Sequence, residues 1–274
     1  MLNRLFQIAV CLLLFGAFSP AAQSQELPSP FTIEGSWWCR DNGGKNIMKL
    51  NIGSIAAGVA PVSGGGVSRN FERAFLIRTA TTQNLQFDSS RNFFGGFAIQ
   101  DMAREGDIGS LVVNRGRLNR TKTKMQLRCT LTIGDAPGRK VRLVCERLDG
   151  ARPDWQGRST DGRMRGTGLK SDKYDIQLTE NPVLGFPFFS LLSGGPVRID
   201  GTESPDVSII GVVGVTSRGQ IAAELFSEQF GAGVARGRIR SPKFEGARPT
   251  LTLQGSTDSR PRVRTRSTLL RLTN

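Results

Sequence analysis

Among the 274 residues there is no histidine at all and a single tyrosine, Tyr174. Imidazole is the commonest general acid or base near neutral pH and the commonest metal ligand, so its absence excludes Ser-His-Asp, Cys-His and His-ligated metal chemistry. Four cysteines are present, one of them, Cys11, inside the first apolar stretch. A glycine-rich phosphate loop is also missing: Gly44-Lys45 is followed by Asn46 and lacks the upstream glycine. Ser68 has no glycine two residues later, which excludes a serine elbow, and no acidic calcium loop occurs. Asp200, Glu203 and Asp206 lie close together but in a Gly/Ser/Pro-rich stretch typical of a solvated turn. No catalytic motif remains, no metal-ligand set is found, and no cofactor is implied.

After the start of the chain, no apolar run is long enough to cross a membrane as a helix. At the start, Arg4 precedes an apolar stretch from Leu5 to Phe18, and Pro20 leads to the small-residue site Ala22-Gln23-Ser24. This has the layout of a secretory signal, expected to be cleaved near Ser24, which would place the mature chain in a periplasmic or extracellular, oxidising space.

Charge of one sign is also short. Lys and Arg total 37 against 23 Asp and Glu, a formal charge of +14, and arginine outnumbers lysine 29 to 8. With 38% hydrophobic residues the chain is nevertheless that of a folded protein.

The 33 glycines and 13 prolines punctuate short runs of alternating polarity, the pattern of an antiparallel all-β protein. Asn42-Gly43, Asp161-Gly162 and Arg218-Gly219 read as tight turns. Only Pro182–Ser193 carries helical spacing. Phe93–Phe97 and Ile209–Val213 read as apolar core strands bent by glycine.

Similar segments recur at a nearly constant interval. Arg115-Gly116-Arg117-Leu118 returns as Arg236-Gly237-Arg238-Ile239, 121 residues on; Leu131-Thr132-Ile133 returns as Leu251-Thr252-Leu253 after 120, and Val141-Arg142 as Val263-Arg264 after 122. Trp37 and Trp155 are 118 apart, Asn42-Gly43 and Asp161-Gly162 119. Five matches in order point to an internal duplication. The expected organisation is a signal over 1–24, a first β unit over 25–149 and a second over 150–274, each a small barrel or sandwich.

Three cysteines then remain. From Met125 to Ile133 every second residue is apolar, and Val141, Leu143 and Cys145 repeat the alternation after Gly134–Gly138. Pairing Ile133 with Val141 in a hairpin would set Cys129 opposite Cys145, the bridge expected here. The rivals are Cys39 bridged to either partner, if the first strand lies beside the last, and three reduced thiols.

The strongest functional feature is arginine at period two: Arg236, Arg238 and Arg240, then Arg260, Arg262, Arg264 and Arg266, with Arg115 and Arg117 as a shorter version. In a strand this spacing puts each run on one face. Such rows can hold phosphate or carboxylate and attract anionic partners over distance. The expected function is non-catalytic binding of anionic envelope material: lipopolysaccharide, anionic lipid or acidic polysaccharide. The basic runs lack interleaved aromatics for base stacking, so nucleic acid is not expected. One alternative is a barrel carrying a small apolar ligand lined by Trp37, Trp155, Phe186 and Phe189; another is a carboxylate-dependent hydrolase of envelope polymer. Ordinary solvated strand faces would show the same alternation.

Overall fold

The computed structural model describes residues 33–78, 85–87, 92–102, 106–148, 157–166, 169–199, 201–228, 231–238, 250–255, 262–266 and 270–271. The signal-like segment, Trp155, Arg240 and Arg260 lie outside them. The described chain is all-β and entirely antiparallel, as composition and periodicity required. No helix in it is long and apolar enough to cross a membrane.

The first sheet is built from β1 (Gly35–Arg40), β2 (Asn46–Ile52), β4 (Val62–Ser68), β5 (Arg73–Arg78), β7 (Asn92–Asp101), β8 (Asp107–Leu118), β9 (Lys124–Ile133) and β10 (Arg139–Arg147), with β3 (Val59–Ala60) and β6 (Leu85–Phe87) attached beside β7. It closes into an eight-stranded barrel, because β8 pairs with β7 as well as β9, and β1 pairs with β10. An eight-stranded barrel is just wide enough for its interior to be filled by side chains. Trp37, Phe75, Phe97, Met48, Ile77, Ile99, Leu111 and Met125 fill it, each fully buried. Alternation does the sorting: on β9 Met125, Leu127, Cys129, Leu131 and Ile133 point inward, while Lys124, Gln126 and Arg128 are exposed. An apolar interior beneath a charged exterior is the reverse of a barrel whose outer face meets lipid.

The second sheet contains β11 (Gly157–Gly166), β12 (Leu169–Glu180), β13 (Phe188–Ile199), β14 (Thr202–Val215), β15 (Gln220–Ser227), β16 (Gly231–Arg238), β17 (Thr250–Gly255) and β18 (Arg262–Arg266), with β19 (Leu270–Arg271) beside β11. Its pairings also return to their start, since β11 bonds to both β12 and β18. Every pairing of β1 to β10 stays in the first sheet and every pairing of β11 to β19 in the second. The same up-and-down order appears twice, with the Arg-Gly-Arg repeats on β8 and β16 and the Leu-Thr repeats on β9 and β17. This is consistent with a duplication.

Three expectations need correction. The bridge joins Cys39 to Cys145, whose Cα atoms are register partners 3.9 Å apart across β1 and β10. Cys129 is a buried free thiol. In the β9–β10 hairpin Val141 pairs with Cys129 and Cys145 with Met125, a register four residues away from the expected one. A slip by an even number keeps every side chain on its face, so the alternation could not expose the error. Barrel closure then brought Cys39 to Cys145.

Asp161-Gly162 is not a hairpin turn but lies within β11, where the register with β12 is irregular on both sides of Gly162. Arg218-Gly219 does form the turn between β14 and β15, with Gly219 at φ 73° and Thr216 O accepting its N–H at 2.8 Å. Finally, Pro182–Ser193 is not helical. A turn capped by Asn181, whose Oδ1 accepts from the N–H groups of Val183 and Leu184 at 3.0 and 2.9 Å, leads into β13.

That turn joins the units. Strands β14 and β15 lie across β2, β4 and β5, and Leu184, Phe188 and Ala222 pack with Ile47, Val67 and Ala74. Leu184 seats over Gly65, where a Cβ would come within 2.3 Å of Leu184 Cδ2. Beside it Lys49 Nζ donates to Leu184 O at 3.1 Å. Glu224 Oε2 accepts the Ala74 N–H across the same seam. Trp38, on the outside of the first barrel, meets the edge of Phe186 at a centroid distance of 5.2 Å.

Candidate functional site

The expected arginines fall on two separate surfaces. Arg115 and Arg117 are exposed on the outer face of β8, where Gly116 between them points inward and is buried. A register irregularity after Val113 sets Arg115 opposite Arg128 of β9, and Arg128 is in turn opposite Arg142 of β10. Three exposed guanidinium side chains therefore leave the same face in a row across three adjacent strands, whose backbones are spaced about 4.8 Å apart. Lys140 extends the patch beside Arg142. Like charges directly opposite one another destabilise a sheet, so this row is not explained by strand pairing. Among the described residues, none of Arg115, Arg117, Arg128 and Arg142 forms an ion pair. The acid on this face, Glu146, sits 3.8 Å from Lys124.

The second surface is a cleft of about 520 Å³ at one end of the seam, where turns of both units converge. Arg69, from the turn after β4, lines it together with Arg218, Arg236 and Arg238, and Gly43, Gln220, Ile221 and Gly237 complete the lining. Each arginine is set by local structure. The Arg69 N–H donates to Lys45 O at 2.7 Å, tying its turn to the β1–β2 turn. Arg218 sits in a turn closed by Thr216, whose Oγ1 accepts the Gln220 N–H at 2.9 Å. Arg236 and Arg238 stand opposite Ala222 and Gln220 on β15 and point outward, because Ala235, just before Arg236, enters the core and Gly237 between the two arginines shares its side of the strand.

Partial burial holds the Arg69 guanidinium below its ordinary pKa, and the positive charge of Arg236 pushes the same way, while Asp41 acts against both. Both Asp41 oxygens are already engaged, Oδ1 by the Lys45 N–H at 2.7 Å and Oδ2 by Asn46 Nδ2 at 2.8 Å. Further along the seam Asp101 is taken by Arg73 at 2.7 Å and Glu224 by Ala74. Among the described residues, no carboxylate pairs with any of the four cleft arginines.

Other expected residues fall elsewhere. Arg262, Arg264 and Arg266 lie on β18, with Arg264 at the register position of Arg165 and Arg266 at that of Arg163; their side chains are outside the described residues, as are Arg240, Arg260 and Trp155. Trp37 is fully buried in the first core, its Nε1 donating to Ile33 O at 2.8 Å. Phe186 and Phe189 belong to the second core. Among the described residues, no group of three or more Cys, Asp or Glu is placed to hold a metal ion.

Sequence reasoning did not select Arg69, Arg218, Arg128 or Arg142. Arg128 and Arg142 occupy alternate polar positions, a signal shared with any solvated strand, and only the register makes them a row. Arg69 and Arg218 are isolated in turns and carry no periodicity.

Fold and site together define a basic protein of two antiparallel β units carrying arginine surfaces that, among the described residues, form no ion pair with a carboxylate. No family model and no curated protein matches the chain.

Proposed function

We propose that the protein is a non-catalytic exported β-module that binds anionic cell-envelope material through the outer face of β8, β9 and β10. The observation that carries this reading is the row Arg115, Arg128, Arg142. A row of like charges costs stability in the free protein and gains from a partner with closely spaced phosphates or carboxylates, which guanidinium groups bind in bidentate fashion. The face is exposed on the outside of the barrel, open to an extended polymer or a lipid surface. The signal-like segment at 1–24 supports an extracytoplasmic setting in which lipopolysaccharide is the expected partner.

The test is retention of the full mature chain on immobilised lipopolysaccharide under a salt gradient. Binding should weaken steeply with salt, and Arg115→Gln, Arg128→Gln and Arg142→Gln together should move elution to clearly lower salt, with an unchanged far-ultraviolet spectrum. Retention indifferent to salt, or to the triple substitution, refutes the proposal.

A further inference from the structure

We propose that the cleft between the two units, lined by Arg69, Arg218, Arg236 and Arg238, is a separate binding site for a compact ligand carrying at least two phosphate groups, either free in solution or as a lipid headgroup. The inference stands apart from the strand-face reading, since it uses different residues and a different shape.

Three observations carry it. First, four arginines from three chain segments line one concavity, Arg69 from the first unit and the others from the second. Bringing like charges together is unfavourable unless something neutralises them; Arg69 is half-buried beside the charge of Arg236, and Asp41, hydrogen-bonded in its own turn but still negatively charged, offsets only one of the four charges. Second, the charge count selects the ligand. With Asp41 offsetting one charge, about three positive charges remain; one phosphate monoester, at about −1.5 to −2 at neutral pH, leaves them unbalanced and two match them. Third, the volume of about 520 Å³ falls within the usual range for small-molecule sites and is too small to enclose a folded partner. Arginine is also the residue best suited to hold phosphate oxygens in a fixed planar fork.

The position has a consequence. Because Arg69 belongs to one unit and Arg218, Arg236 and Arg238 to the other, an occupant bridges the seam and stabilises the folded chain by mass action.

The experiment uses the full mature chain and inorganic pyrophosphate, followed by calorimetric titration and by the thermal midpoint, with sodium chloride at matched ionic strength as reference. The expected result is saturable one-to-one binding and a midpoint raised above the reference. The double variant Arg69→Gln with Arg236→Gln should bind at least tenfold more weakly, and Arg218→Gln alone should weaken binding in the same direction. Exposed or half-exposed sites tolerate glutamine, so the variants should fold, and the Arg115, Arg128, Arg142 triple variant should bind pyrophosphate as well as the unaltered chain. A parallel arm uses phosphatidylcholine vesicles containing a diphosphorylated lipid: binding to free pyrophosphate points to a soluble ligand, and binding to these vesicles alone, lost in the double variant, to a headgroup. Binding to neither, a midpoint shift no larger than matched salt gives, or equal loss in the strand-face triple variant overturns the proposal. Loss of lipopolysaccharide retention with pyrophosphate binding intact would sink the strand-face reading and leave this one standing.

Discussion

Replacing Leu184 by alanine probes the seam on which the cleft depends. The side chain is 6% exposed and rests on the space left open by Gly65. The substitution removes three carbons, and at about 0.8 kcal/mol per buried carbon the transfer loss alone is about 2.4 kcal/mol. The hollow left behind is floored by backbone that cannot collapse into it, which brings the expected loss to about 3 kcal/mol. The capping bonds from Asn181 and the bond from Lys49 use backbone atoms of this turn, so they survive the change. Urea unfolding of the full chain, read by tryptophan fluorescence with Trp38 at the seam, measures the effect. A double-mutant cycle sharpens it. A Cβ at Gly65 would sit 2.3 Å from Leu184 Cδ2 and 2.6 Å from Phe75 O, and only the first conflict disappears when Leu184 is alanine. Gly65→Ala should therefore destabilise the unaltered protein more than the Leu184→Ala background, with a coupling of about 1 kcal/mol. A Leu184→Ala loss below about 0.5 kcal/mol, or strict additivity, would refute the knob-in-hollow account of the seam.

Three more outcomes follow from the same structure. Non-reducing peptide mapping should recover Cys39 linked to Cys145, and Cys145→Ser should cost about 4.7 kcal/mol on the chain-entropy account for a loop of this length, the separation being 106 residues; a linked Cys129–Cys145 fragment would contradict the register. Burial pushes the Cys129 thiol up to about 12, so it should resist alkylation at pH 8 until the chain is unfolded. Burial, ahead of the opposing Ala74 N–H and Arg73 charge and reinforced by Asp101, also holds the Glu224 carboxyl above its ordinary range. The folded chain then keeps a proton that the unfolded chain has lost, so this contribution to stability is complete below the ordinary carboxylate range and is lost as pH rises through the raised value. Glu224→Gln keeps an acceptor for Ala74 and should flatten that dependence while raising stability at pH 7; unfolding curves across pH 4–8 that match the unaltered chain would disprove it.

What the chain alone determined follows from periods. Alternation of polar and apolar residues decides which side of a pleated strand faces inward, so β9, its hairpin partner and the arginine runs on β8 and β16 were legible from local order, as was the all-β class from glycine, proline and short runs. The recurring Arg-Gly-Arg and Leu-Thr segments likewise anticipated two units with one strand order. Register and closure were not legible, because shifts by two or four residues leave every face unchanged, and nothing local to Cys39 says that its strand will meet β10. The same blindness hid the functional geometry. Arg128 gains meaning only when Arg115 and Arg142 are set on either side of it, and Arg69 only when a second unit brings Arg218, Arg236 and Arg238 to the other wall of one cleft. Local order governs the direction a side chain leaves the backbone; which charges become neighbours depends on hairpin register for Arg115, Arg128 and Arg142 and, for the cleft, on contacts between residues more than a hundred positions apart, which arise only when the sheets pack.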